Sequence, residues 1–186
     1  PCPQPVAAGV WLSQPSERTE MASRSAVAVA APVLTLKVLT YNIAGHTALL
    51  NSQHLAAIAR LIAAEHADVV GLQEVHRGTW QSRFRDQASE VARQTGMEIF
   101  YGPSFKALGG EFGNAVLVRG RILDGEVVPL PSFGEPRSLL RAAVEVDGFA
   151  LDVFVTHLTA WGNLNRQRRT VQATAMCPCT VPSIWC

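Results

Sequence analysis

The chain has 186 residues, 48% of them hydrophobic and 17% charged, with a net charge of +1. That length and composition suit one ordinary domain with a sizeable core and exclude a chain too polar to pack. There is no global basic field of the kind that drives nonspecific nucleic-acid binding, and no run reaches the roughly 18 apolar residues of a membrane span. The cations are lopsided, 14 Arg against two Lys (Lys37 and Lys106). Arginine suits bidentate phosphate contacts, although a genome rich in G and C produces the same bias.

Residues 1–32 carry Pro, Gln, Ser and Ala with little periodicity and read as a disordered or foreign leader. The chain starts at Pro1, and Met21 is its first plausible initiator. The apolar stretch 26–34 lacks the small-residue cleavage site of a signal peptide and reads instead as the approach to a first strand. There Leu34, Leu36, Val38 and Thr40 alternate with Thr35, Lys37 and Leu39, up to Asn42. Over residues 51–66, Leu55, Ile58, Ala59 and Ile62 recur at helical spacing, with Arg60 and Glu65 off that face. Residues 68–75 form a compact apolar strand with a polar end, and 80–95 read as a second helix stopped by Gly96.

Beyond Gly96 the pattern changes to short strands over 97–101, 113–118, 125–130, 138–146 and 149–157. Asp147-Gly148 supplies the two positive φ values that a tight hairpin needs. A helix with Arg166, Gln167, Arg168 and Arg169 is expected from 163 to about Met176. The tail 177–186, with Pro178 and Pro182, fits neither template and reads as the product of a shifted frame, a cryptic splice or an early end. Cys2, Cys177, Cys179 and Cys186 all lie at the two ends, without zinc spacing, and are expected to staple no core. They leave the compartment undecided, with the cytoplasm slightly ahead of secretion. There are no internal repeats.

Helices flanking many short strands point to a layered α+β domain. Asn42, Glu74, Asn114 and His157 fall at strand ends, where polar side chains on rigid elements can build a site. Each alone has a plain reading: a turn cap for Asn42, a solvated carboxylate for Glu74, a structural imidazole for His157.

Their order and context say more. Leu39-Thr40-Tyr41-Asn42-Ile43 comes first, followed by Gly71-Leu72-Gln73-Glu74-Val75 at the end of the second strand. Tyr101-Gly102-Pro103-Ser104 and Phe112-Gly113-Asn114-Ala115-Val116-Leu117-Val118 follow, then Glu135-Pro136-Arg137-Ser138-Leu139-Leu140-Arg141, and finally Val153-Phe154-Val155-Thr156-His157-Leu158. Six ordered motifs over about Leu34 to Met176 resemble the endonuclease/exonuclease/phosphatase family. The resemblance implies a two-layer β-sandwich flanked by helices, a four-layer αββα domain over 33–176 that is incomplete at its C-terminus.

It also implies hydrolysis of a phosphate ester with Mg²⁺, or Mn²⁺ in its place. Glu74 would be the metal ligand, since a hard cation prefers a carboxylate. Asn42 would orient the phosphate or a water ligand of the metal. His157 would donate to the scissile phosphate or the leaving oxygen. Asn114 would support the rim, and Arg137 and Arg141 would approach the anionic substrate. The family continues with a Gly-Asp-Phe-Asn-like strand end and a Ser-Asp-His-like motif that activates water. Neither occurs here, and nothing after His157 is His, Asp or Glu. Two functions follow from the sequence: an impaired phosphoesterase, or a non-catalytic module that binds a phosphorylated ligand or a protein. The substrate class stays open.

Overall fold

The computed structural model describes residues 8–11, 34–107, 109–132, 134–159, 169, 171 and 172. Its elements in chain order are β1 (Ala8–Trp11), β2 (Val38–Asn42), α1 (His54–Ala64), β3 (Val69–Arg77), α2 (Gln87–Thr95), β4 (Glu98–Ala107), β5 (Gly110–Val118), β6 (Arg121–Leu130), β7 (Arg137–Val146) and β8 (Phe149–Thr156). They build two four-stranded sheets, ordered β2-β3-β5-β4 and β1-β8-β7-β6. Within the first, β2 and β3 are parallel, so both strands end at the same rim; the other pairings are antiparallel.

β3 and β5 are buried on both faces, which is why they read as continuous apolar runs. Val70, Leu72, Ala115 and Leu117 face a core shared with Leu55, Ile58 and Ile62 of α1 and Ala88 and Val91 of α2. Val69, Val116 and Val118 face the other sheet, meeting Leu140, Ala142, Val144, Leu151, Val153 and Val155. The two sheets therefore pack face to face, as expected of the sandwich. Gly125 is one point of close approach: a side chain there would run into the Phe100 ring from the opposite sheet.

The helical face of α1 is the one read from the sequence, with Leu55, Ile58, Ala59 and Ile62 buried. The second helix differs. Residues 80–95 do not form one helix: a 3-10 turn at Trp80–Ser82 is broken by Arg83 and Phe84, at φ 54 and 61, before α2 starts at Gln87. The cause is local hydrogen bonding. Ser82 Oγ donates to Thr79 O and Arg85 O, and the Asp86 carboxylate accepts from Ser89 N, so capping groups interrupt the run. Gly96, at φ 69, does end the helix. The hairpin at Asp147-Gly148 forms with φ 51 and 82.

The strand expected from Leu34 is β2, and it begins at Val38. Ala8–Trp11, within the segment read as a leader, pairs antiparallel with β8 from Ala8–Val155 to Trp11–Asp152. An unpaired edge of β8 offers a ladder of donors and acceptors, and these four residues occupy it. The rest of 1–33, the expected start of a helix at 163–168 and the tail 177–186 lie outside the described residues. Of the region beyond 159, Arg169, Val171 and Gln172 are helical, and Gln172 is buried against Thr159, whose N–H donates to its Oε1 at 3.1 Å. Among the described residues no helix is long and apolar enough to cross a membrane.

Candidate functional site

β2 and β3 deliver Asn42 and Glu74 to one rim. Asn42 is the last residue of β2; its Oδ1 accepts from Ala44 N at 2.9 Å, and its Nδ2 donates to Glu74 Oε1 at 2.8 Å. The backbone N–H can only meet an oxygen, which fixes the amide so that its nitrogen faces the acid.

Glu74 sits in a β-bulge. The β3–β5 register jumps between Leu72 (opposite Ala115) and Val75 (opposite Gly113), leaving Gln73 and Glu74 against the single residue Asn114. Glu74 itself has φ 57, a left-handed conformation that costs a non-glycine residue about 1–3 kcal/mol and persists only when neighbours enforce it. The neighbours are identifiable. Gln87, fully buried at the start of α2, accepts from His76 N at 2.8 Å and donates to Gly45 O at 2.7 Å. Gly45 lies against the Glu74 carbonyl so closely that a Cβ there would overlap it. Gln87 thus ties the loop after β2 to the strand that carries Glu74. It was not visible in the sequence, where a glutamine beginning a helix looks like any surface residue.

β8 ends one residue before His157. Its Nδ1 lies 3.1 Å from Arg137 Nη1, and its Nε2 lies 3.7 Å from Glu74 Oε1. Burial, reinforced by the Arg137 charge and opposed by Glu74 and Glu135, holds the imidazole pKa below its usual 6.5. The contact with Glu74 is therefore one between a carboxylate and a neutral ring at neutral pH. Arg137, at the start of β7, is 7% exposed and pairs through Nη1 with Glu135 Oε1 at 2.9 Å. Glu135 is a second group that the sequence named only as part of a motif; its place two residues before Arg137 was the available signal.

Asn114 is buried opposite the bulge, and its Nδ2 has no hydrogen-bond partner among the described residues; neither has Arg137 Nε. Two buried orphan donors beside an acid are uncommon in a folded domain and point to an absent acceptor. Arg141 is elsewhere. Four residues along β7 from Arg137, or about 13 Å, it contacts Asp152 at 2.7 Å and Asp124 at 3.7 Å on the neighbouring strands. The structure links Asn42, Glu74, His157 and Arg137 through successive contacts, sets Asn114 across the ladder from the bulge, and leaves Arg141 mid-strand, paired with acids.

As a cation site, the rim offers one carboxylate. Glu74 Oε1 is engaged by Asn42, and among the described residues Oε2 has no hydrogen-bond partner. No group of three or more His, Cys, Asp and Glu side chains converges among the described residues. That donor set fits a hard divalent ion held by one or two carboxylates with the remaining positions left to water and substrate oxygens; it does not fit a closed zinc site.

Two facing sheets, with Asn42 and His157 at the ends of β2 and β8, Glu74 at a bulge inside β3 and Asn114 opposite it inside β5, not at strand ends as the sequence suggested, define an α+β sandwich domain with a polar site. The chain belongs to the endonuclease/exonuclease/phosphatase family, which it matches over residues 39–176. Among solved structures it is similar to an endonuclease/exonuclease/phosphatase from Beutenbergia cavernae, with 29% identity and a TM-score of 0.59, covering 75% of this chain and 42% of that one. It is also similar to D. rerio TDP2 complexed with a single-strand DNA product (23% identity, TM-score 0.60), covering 76% of this chain and 52% of that one. Truncated Caenorhabditis elegans TDP2 gives 21% identity and a TM-score of 0.57, with 76% and 53% covered. The chain thus spans about half the length of these relatives. No curated protein matches it.

Proposed function

We propose that this domain hydrolyses a phosphate ester with a divalent cation, Mg²⁺ in the first place and Mn²⁺ as its substitute. The observation that carries the reading is the convergence of Asn42, Glu74 and His157 at one rim, with Glu74 presented from a strained, braced bulge. When bound, the cation would polarise a phosphoryl oxygen. Glu74 would hold it through Oε2, and the Asn42 amide keeps that carboxylate from swinging away. His157 Nε2 faces the same space and would donate to a phosphate oxygen, while the buried Asn114 amide offers a further donor. Arg141, paired with Asp152 and Asp124, takes no part. The DNA product in the D. rerio relative makes single-stranded DNA the first polymer to try.

Residues 158–186 contain no His, Asp or Glu, so that stretch supplies no side chain to take a proton from an attacking water. A general base contributes about 10²–10⁴-fold, and the 186-residue chain alone is expected to turn over slowly or not at all. A second reading has the rim bind a phosphorylated ligand or partner without hydrolysing it.

The test measures hydrolysis of bis(4-nitrophenyl) phosphate with Mg²⁺, alongside calorimetry with inorganic phosphate, for the native chain and Glu74→Ala. Slow turnover abolished by EDTA and by Glu74→Ala supports hydrolysis. Phosphate binding without turnover supports the second reading. Turnover or binding that ignores both EDTA and Glu74→Ala removes the site altogether.

A further inference from the structure

Arg137 is covered by the fold and aimed along it. Its backbone N–H donates to Ser132 Oγ at 2.9 Å, Glu135 Oε1 anchors its Nη1 at 2.9 Å, and its side chain is 8% exposed. The strand it begins is pinned to β8 just before His157, where Thr156 Oγ1 donates to Ser138 O at 3.0 Å. The guanidinium is thus held beside His157 from both strands.

A guanidinium carries only donors and stays protonated in proteins. Its 3.1 Å contact with His157 Nδ1 is a hydrogen bond only if Nδ1 is bare. A neutral imidazole has one N–H, which must then sit on Nε2, the atom 3.7 Å from Glu74 Oε1. The usual arrangement is the reverse. A carboxylate or carbonyl beside Nδ1 accepts its proton, leaves Nε2 bare, and so prepares the ring as a base or a metal ligand.

We propose that Arg137 is a positioning residue that locks His157 as its neutral Nε2–H tautomer, making the ring a fixed hydrogen-bond donor to the substrate phosphate and not a proton shuttle. This rests on the reading of His157 as a donor given above. The chemistry is restrictive. To act as a base at Nε2 the ring would first have to lose the proton it already holds there; to become an imidazolium it would have to protonate Nδ1 and give up Arg137. The proton therefore stays on Nε2 throughout, and a leaving oxygen takes its proton from solvent. A neutral imidazole serves as an electrophile in this manner where its surroundings disfavour the cation. It is the Nη1 of this guanidinium that meets His157 and Glu135; its Nε has no partner among the described residues.

Ring-nitrogen correlation spectra of ¹⁵N-labelled chain at neutral pH read the tautomer directly, with the His76 ring as an internal control for folding. In the native chain His157 is expected to show a protonated Nε2 and a bare Nδ1. Arg137→Met should convert it to averaged shifts for the two nitrogens, and Arg137→Lys, which keeps a donor, should restore the native pattern. A native His157 protonated at Nδ1 overturns the proposal even if no variant folds. So does an unchanged single tautomer in folded Arg137→Met. The hydrolysis reading fails separately: an Nε2–H tautomer together with turnover that His157→Gln leaves unaltered would refute the donor role and leave the tautomer assignment standing.

Discussion

Asn42 and Glu74 hold each other across neighbouring parallel strands, Nδ2 to Oε1 at 2.8 Å, with the amide oriented from behind by Ala44 N. The pair joins two chain segments 32 residues apart, and it exists because parallel strands end on the same side of a sheet. The amide leaves Oε2 in a fixed position, which is what a carboxylate needs to hold a cation without paying for its own ordering at that moment.

Asn42→Ala is accordingly expected to weaken Mg²⁺ binding about tenfold or more, the usual effect of removing a group that orients a metal ligand. Calorimetry with Mg²⁺ alone measures it. An unchanged affinity would show that the amide does not hold the carboxylate in solution.

Glu74 is expected to cost stability through its backbone as well as contribute function through its side chain. Both Glu74→Gly and Glu74→Ala delete the carboxylate, but only glycine accepts φ 57 freely. The glycine variant should be more stable than the alanine one by about 1 kcal/mol in urea unfolding. Alanine equal to or better than glycine would mean the bulge relaxes once the carboxylate is gone.

Behind the bulge, Gly45→Ala would press a methyl group into the Glu74 carbonyl and Gln87 Oε1. Overpacking of this kind costs about 1–3 kcal/mol. Gln87→Ala should cost about 2 kcal/mol or more, since it leaves His76 N and Gly45 O buried without their partner. Urea midpoints test both, and a neutral Gln87→Ala would remove the brace from the account.

The pH dependence follows from two imidazoles. Burial, chiefly, holds both His76 and His157 below 6.5; His46 adds to the effect at the first and Arg137 at the second, and Glu74 opposes it at both. The unfolded chain then binds protons near 6.5 that the native chain refuses, so acid pulls the equilibrium toward unfolding. Stability measured in EDTA should be full above about pH 6.5 and fall as the pH drops from there through the lower native values. His157→Gln should flatten part of that slope. A native chain equally stable at about pH 5 and 7 would contradict the burial of both rings.

Much of this was legible in the residues. The apolar face of α1 and the Asp147-Gly148 hairpin each depend on a few neighbouring positions whose geometry is set by local rules, and both formed where the pattern put them. Ordered motifs singled out Asn42, Glu74 and His157, and Glu74 Oε1 lies 2.8 Å from Asn42 Nδ2 and 3.7 Å from His157 Nε2. What was not legible is set by long-range partners. Ser82 and Asp86 look helix-compatible until the hydrogen bonds that break the run are seen. Arg137 and Arg141 are alike in sequence, and only the strand neighbours show that one meets His157 while the other meets Asp152. The left-handed Glu74 is the hardest case, because no residue type announces a conformation that its surroundings impose.

The bulge has one more consequence, for the phase of β3. Before it, even-numbered residues such as Val70 and Leu72 face the helices; after it, the odd-numbered Val75 does. The extra residue resets the strand's alternation by one, so that the segment leading into the site and the segment leaving it follow opposite parities. Deleting either Gln73 or Glu74 would make the ladder regular, yet it would turn Val75, His76 and Arg77 inside out relative to the cores they now serve. The strand can keep its downstream packing only while it keeps the irregularity that presents the acid.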